Sequence, residues 1–238
     1  MRRYIHYAHR WLALALGVQV TLWLTSGAVM AWLPLSLVRG ETTAAFEAPI
    51  ELATTSYFPP GGVISQLEGA TKVELTTLLG RPVYVVASDK TSALFDADTG
   101  ARLSPLPSAT ARQIALSDYA GVTEISSARL ISTPPGEYKG PTPIWRVALA
   151  DKNDTRLYIS PQTGKVLARR NKYWRFYDFF WMFHIMDYRE RDDFNNPFLR
   201  IFATTGFFFA LTGAALVIMR LRHGGYSFAS TNKNPGVR

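Results

Sequence analysis

Two stretches of this chain carry no charged side chain. Trp11 to Val38 is 28 residues rich in Leu, Val, Ala and Trp, and Ile201 to Met219 is 19 residues of the same character. A helix needs about 20 apolar residues to cross a bilayer core, so the pattern predicts two membrane spans, over residues 11–35 and 198–219. Pro34 is expected to end the first, because a helix interior rarely tolerates proline. Residues 36–62 read as a linker that closes on Pro59-Pro60-Gly61-Gly62. From 63 to 170 the pattern shortens to strand-length apolar runs separated by turn residues. Residues 171–197 are dense in aromatics, with Arg175 and Arg189 near the two ends, and predict an amphipathic segment lying at a membrane interface.

The middle of the chain repeats itself. Arg81 to Leu103 and Pro143 to Leu167 each read as a strand, an Asp-Lys turn, a strand, a Thr-Gly turn and the start of a short strand. Thr99-Gly100 and Thr163-Gly164 supply the turn chemistry, since glycine enters positive φ without a Cβ penalty. Ser108 to Tyr119 has helical spacing with Ser108 as N-cap. The fold class expected is an α+β membrane protein, with two helices flanking an outer domain of two small α+β units.

Charge sets the orientation. The net charge is +8, which suggests nucleic acid until it is located. Arg2, Arg3 and Arg10 lie in residues 1–10, and Arg220, Arg222, Lys233 and Arg238 in residues 220–238, with no acid in either tail. A nucleic-acid groove would place its cations on the folded domain, so no nucleic-acid partner is expected. Basic flanks stay on the cytoplasmic side of a bilayer. Both termini are therefore expected inside, with the domain outside. Ser26-Gly27-Ala28 offers a weak small-x-small cleavage site, but the apolar run is about twice a signal-peptide core and a second run follows, which favours an uncleaved anchor. Small residues at i+4 spacing (Gly17, Thr21 and Thr25; Gly206, Ala210 and Ala214) suit close helix packing, and a homodimer is expected. Gln19, polar within the first run, reads as an interhelical hydrogen bond or as a cofactor contact.

Candidate chemistry is sparse. The absence of Cys excludes thiol redox chemistry, disulfides and Cys-ligated metal sites. The 63–170 segment has no His and no nucleophile–base pairing or phosphate-binding loop, the pattern of a binding or scaffold module. All four histidines flank the apolar runs. His6 and His9 share a helical face before the first, His223 follows the second, and His184 sits in the aromatic segment. Each reads alone as an interfacial polar residue. Grouped, with His184 about 30 Å from the others across a bilayer, they read as axial ligands for haem. Asp187, Glu190, Asp192 and Asp193 offer hard oxygen ligands for ferric iron, although Arg189 and Arg191 between them equally describe a solvated turn.

Several of these residues carry a resemblance. His9-Arg10-Trp11-Leu12 with Gly17, Gln19 and Leu24-Thr25-Ser26-Gly27 resembles the opening span of PepSY-associated membrane proteins. The duplicated Thr-Gly unit resembles two PepSY repeats, and Tyr177 to Tyr188 with Phe194-Asn-Asn-Pro-Phe198 resembles that family's segment before its last span. Larger relatives with four spans resemble haem-containing reductases of ferric iron and ferric siderophores in the bacterial inner membrane. The resemblance thus implies haem b, an inner-membrane location with a periplasmic domain, and electron transfer outward to ferric iron or a ferrisiderophore, alongside iron-uptake partners. Two spans rather than four is a departure from those relatives. The other reading is a non-enzymatic, membrane-anchored PepSY module that binds a partner protein.

Overall fold

The computed structural model describes residues 2–45 and 56–222; within helices it does not describe the side chains of residues 2–10, 12, 15, 212, 213, 215–217, 219, 220 and 222. His223 lies outside the described residues, and the side chains of His6 and His9 do as well. In chain order come α1 (Arg2–Trp32), α2 (Leu35–Val38), a 3-10 turn (Glu41–Thr43), α3 (Pro60–Ile64), β1 (Ala70–Leu78), β2 (Arg81–Ser88), β3 (Ser92–Asp96), α4 (Ser108–Ser117), β4 (Ile125–Ile131), β5 (Ile144–Leu149), β6 (Arg156–Ile159), β7 (Val166–Arg170), α5 (Lys172–Ile185) and α6 (Pro197–Arg222). This is a mixed α+β fold. Contacts divide it into two units, Gly27–Trp181 and the residues on either side of that stretch.

Within Gly27–Trp181, two antiparallel meanders form, β1-β2-β3 and β4-β5-β6-β7. The run Val83-Tyr84-Val85-Val86 in β2 is apolar without alternation because both faces of its sheet are covered. Val83, Val85 and Leu94 point into a core shared with Ala111, Ile114 and Ala115 of α4 and with Val147, Leu149, Leu157 and Ile159 of the second sheet. Tyr84, Val86, Ala93 and Phe95 pack on the opposite side against Val63 and Leu67. The second sheet alternates instead. Trp145, Val147 and Leu149 face the shared core, while Ile144, Tyr158 and the stacked Tyr138 form a smaller cluster on the outer face.

The repeat is visible atom by atom at its turns. Gly100 N–H donates to the Asp96 carbonyl and Gly164 N–H to the Ser160 carbonyl, both at 2.9 Å. Asp96 Oδ1 accepts from the Asp98 and Thr99 N–H groups, and Ser160 Oγ accepts from Gln162 and Thr163. Both glycines take positive φ, +73° and +71°. A Cβ at Gly164 would stand 2.8 Å from Leu78 Cδ1, whereas a Cβ at Gly80, φ +76°, would meet nothing within 4 Å. Both substitutions to Ala incur the left-handed backbone cost of about 1–2 kcal/mol. Gly164→Ala is therefore expected to lower the urea midpoint further than Gly80→Ala, and equal losses would show that the Leu78 contact relaxes freely.

Several expectations change. Pro107, not Ser108, occupies the N-cap of α4, and no side chain caps that end; proline's fixed φ and an extended ψ set the entry. The stretch read as a linker includes α2, the 3-10 turn and the start of α3, ordered by carbonyl acceptance and proline geometry: Pro34 and Pro59 are the N-caps of α2 and α3. Among the described residues no helix is long and apolar enough to cross a membrane, so the described helices do not display the two expected spans.

Candidate functional site

Of the sequence-predicted site residues, His184 has the most defined setting. It lies one residue before the end of α5, and its Nδ1 is 3.1 Å from Ser26 Oγ on α1. Ser26 is 1% exposed, and its hydroxyl also donates to the Trp23 carbonyl at 3.1 Å. A serine hydroxyl has one proton. With that proton on the Trp23 carbonyl, Ser26 Oγ accepts from Nδ1–H of His184. A metal-ligating histidine is commonly held by an outer partner of this kind on its second nitrogen.

One and two turns before Ser26, on the same side of α1, lie half-buried Trp23 and buried Gln19. Gln19 is 6% exposed. Gln19 Nε2 and Trp23 Nε1 are both buried without a hydrogen-bond partner among the described residues, so the interhelical hydrogen bond expected of Gln19 is not made by its amide nitrogen to any of these. Two buried donors without a partner within one turn are uncommon in native proteins. His9 is on the same helix, 17 residues before Ser26, about 26 Å along the axis. His9 and His184 thus cannot share one iron; any ligand role they have belongs to two levels.

The four acidic residues after α5 do not assemble. Asp187 Oδ1 accepts from the N–H groups of Arg189 and Glu190, and Oδ2 from those of Asp192 and Asp193, all at 3.1 Å. Desolvation pushes Asp187 up, but the four backbone donors outweigh it and hold the carboxyl at about 2. Both oxygens are engaged in shaping a loop in which Met186 and Arg191 take positive φ. Among the described residues no group of three or more His, Asp or Glu side chains is placed to hold a metal ion. The iron-binding reading of Asp187, Glu190, Asp192 and Asp193 gives way to a turn whose carboxylate points at its own backbone.

The sequence reading missed a second constellation, on the outer face of the four-stranded sheet. Glu137, with its side chain 11% exposed, accepts through Oε1 from Tyr158 OH at 2.7 Å and Arg156 Nη1 at 3.1 Å. Its Oε2 accepts from Arg175 Nε at 3.0 Å, and its carbonyl from Arg170. Arg170 stacks on Trp174. Burial pushes the Glu137 carboxyl up, yet the Tyr158 hydrogen bond and the charges of Arg175 and Arg156 hold it below the usual carboxylate range. Burial and the same carboxylate push Tyr158 up. The signal available in the sequence was the alternation of Arg146 and Arg156 with apolar neighbours, which places arginines on the sheet face away from the shared core.

This arrangement carries a pH dependence. A carboxyl held below its ordinary value contributes stability that is complete above that ordinary value, 4.5 for Glu137, and is lost as pH falls through the lowered folded value. The urea midpoint is expected to be flat from pH 7 to 5 and to fall below about pH 4.5; a Glu137→Gln variant should lose part of that acid slope. An unchanged slope would remove Glu137 as its source.

No curated protein and no solved structure matches the chain. Residues 105–170, running from the loop before α4 to the end of β7, match the PepSY family model, described as the peptidase propeptide and YPEB domain, and this portion of the chain is a PepSY domain.

Proposed function

We propose that this protein is a membrane-anchored PepSY protein in which His184 serves as an axial ligand to haem b, moving electrons outward to periplasmic ferric iron or a ferrisiderophore. The observation that supports the reading is the Trp23 carbonyl–Ser26–His184 chain, an outer partner on Nδ1 of the kind that orients metal-ligating histidines. The orphan donors of Gln19 and Trp23 suit the acceptor oxygens of such a group. When bound, haem supplies a one-electron redox centre. The chain's part is to orient the imidazole through Ser26. His9, with His6 and His223, supplies the candidate ligands at the opposite level. The first unit, α3 with β1-β2-β3, acts as a second PepSY-like repeat beside the matched one.

The bilayer is the proposed seat for α1 and α6. Read over the whole sequence, their uncharged runs are 28 and 19 residues. Leu14, Val18 and Leu24 on α1 and Ile201, Phe207, Phe208 and Leu221 on α6 are each more than half exposed, apolar side chains that a bilayer would cover. The basic tails then lie in the cytoplasm, and a homodimer completes the thin helical layer. The second reading is a membrane-anchored PepSY module that binds a partner protein. The absorption spectrum of the detergent-purified full chain separates them. A reducible Soret and α-band is expected; a colourless protein that takes up no added haem would leave the binding-module reading in place.

A further inference from the structure

The outer face of the four-stranded sheet holds more arginines than it pairs. Register places Arg129 of β4 directly opposite Arg146 of β5, Arg146 opposite Tyr158, and Arg156 opposite Arg170. Arg175 of α5 joins them through Glu137. Like charges directly opposed on neighbouring strands destabilise a sheet. For Arg156 and Arg175 the structure supplies the counter-charge, since Glu137 and Asp154 reach both of them. Arg170 donates to the Glu137 carbonyl and stacks on Trp174.

Arg129 and Arg146 have no such answer. Neither takes part in an ion pair or a side-chain hydrogen bond among the described residues. Arg129 is exposed and Arg146 half-buried, and Arg146 Nε is buried without a hydrogen-bond partner. Tyr158, opposite Arg146 in register, donates its hydroxyl proton to Glu137. The two arginines occupy directly opposed positions on neighbouring strands, one exposed and one half-buried.

We infer that Arg129 and Arg146 form a binding site for a phosphate-class oxyanion. Guanidinium forks bind tetrahedral oxyanions through paired N–H donors. Two opposed forks offer enough donors for several oxygens of one group, and a dianionic or monoanionic phosphate would relieve the repulsion between them. Arg146 supplies the partly desolvated floor, where its charge is less screened, and Arg129 the solvent-facing rim. The phosphate has two sources, the headgroup of an anionic lipid or a soluble phosphate compound. This site is independent of the haem reading, since it lies on the sheet and uses none of the residues assigned there.

Calorimetric titration of the detergent-purified full chain tests it. One arm titrates inorganic phosphate into protein in chloride buffer of matched ionic strength; the other titrates mixed micelles containing phosphatidylglycerol, with phosphatidylcholine micelles as the neutral control. Saturable binding is expected in at least one arm, weakened about tenfold by Arg129→Gln and abolished by Arg129→Gln with Arg146→Gln. Binding of phosphatidylglycerol alone assigns a lipid headgroup, and binding of inorganic phosphate as well assigns a soluble phosphate. Arg129→Gln alters only an exposed side chain, so it still reports if the double variant fails to fold. No saturable binding in either arm, or single-variant affinity equal to that of the parent, would overturn the site.

Discussion

His184→Ala is expected to convert haem bound at the α1–α5 level from low-spin to high-spin, or to strip it, and to abolish reduction of external ferric iron. Removing a ligand also removes the hydrogen bond to Ser26, but little core volume, so the fold should persist and the protein should still elute as the parent does. Ser26→Ala is the more informative companion. It leaves the imidazole in place while deleting the group that orients it, and loss of such an outer partner typically weakens a metal site by about 10–100-fold. A graded outcome, with His184→Ala devoid of low-spin signal and Ser26→Ala retaining it at lower haem affinity, is the expected result. Spectra identical to the parent for both variants would return His184 to the role of an interfacial polar residue.

Glu137→Ala is expected to cost about 3 kcal/mol of stability, at the lower end for breaking a buried ion pair, because Arg156 and Arg175 retain some solvent contact. The loss has a definite origin. Truncation leaves two half-buried guanidiniums opposed only by Asp154, whose side chain is 59% exposed, and frees the Tyr158 hydroxyl from its acceptor. For a unit the size of Gly27–Trp181, that corresponds to a fall in melting midpoint of roughly 6–12 °C. Glu137→Gln keeps an acceptor for Tyr158 and should lose less. A midpoint unchanged in Glu137→Ala would mean that the arginines find water as readily as they find the carboxylate.

The pattern of residues carried much of the architecture. The duplicated strand–turn–strand segments and their Thr-Gly turns are local features: period-two burial and a glycine at positive φ depend on neighbours in the chain, and the sequence states them. The apolar, charge-free runs of α1 and α6 and the helix over the aromatic segment are legible for the same reason. Of the two PepSY-like units expected over residues 63–170, the family model matches residues 105–170. Tertiary structure decided what lies between segments. Ser26 and His184 are 158 residues apart, and no spacing rule relates them; their contact depends on how α1 meets α5. Glu137 sits in an irregular loop whose composition marks it as a turn, and it becomes the hub of a buried ion network only when that loop closes over β6. Arg129 and Arg146 alternate correctly in their own strands, but that they stand opposite one another is a property of strand register. The same holds in reverse for Asp187: the sequence displayed four neighbouring acids, and the fold turned the first of them inward onto four backbone amides, because a loop of that curvature leaves its N–H groups with no other acceptor.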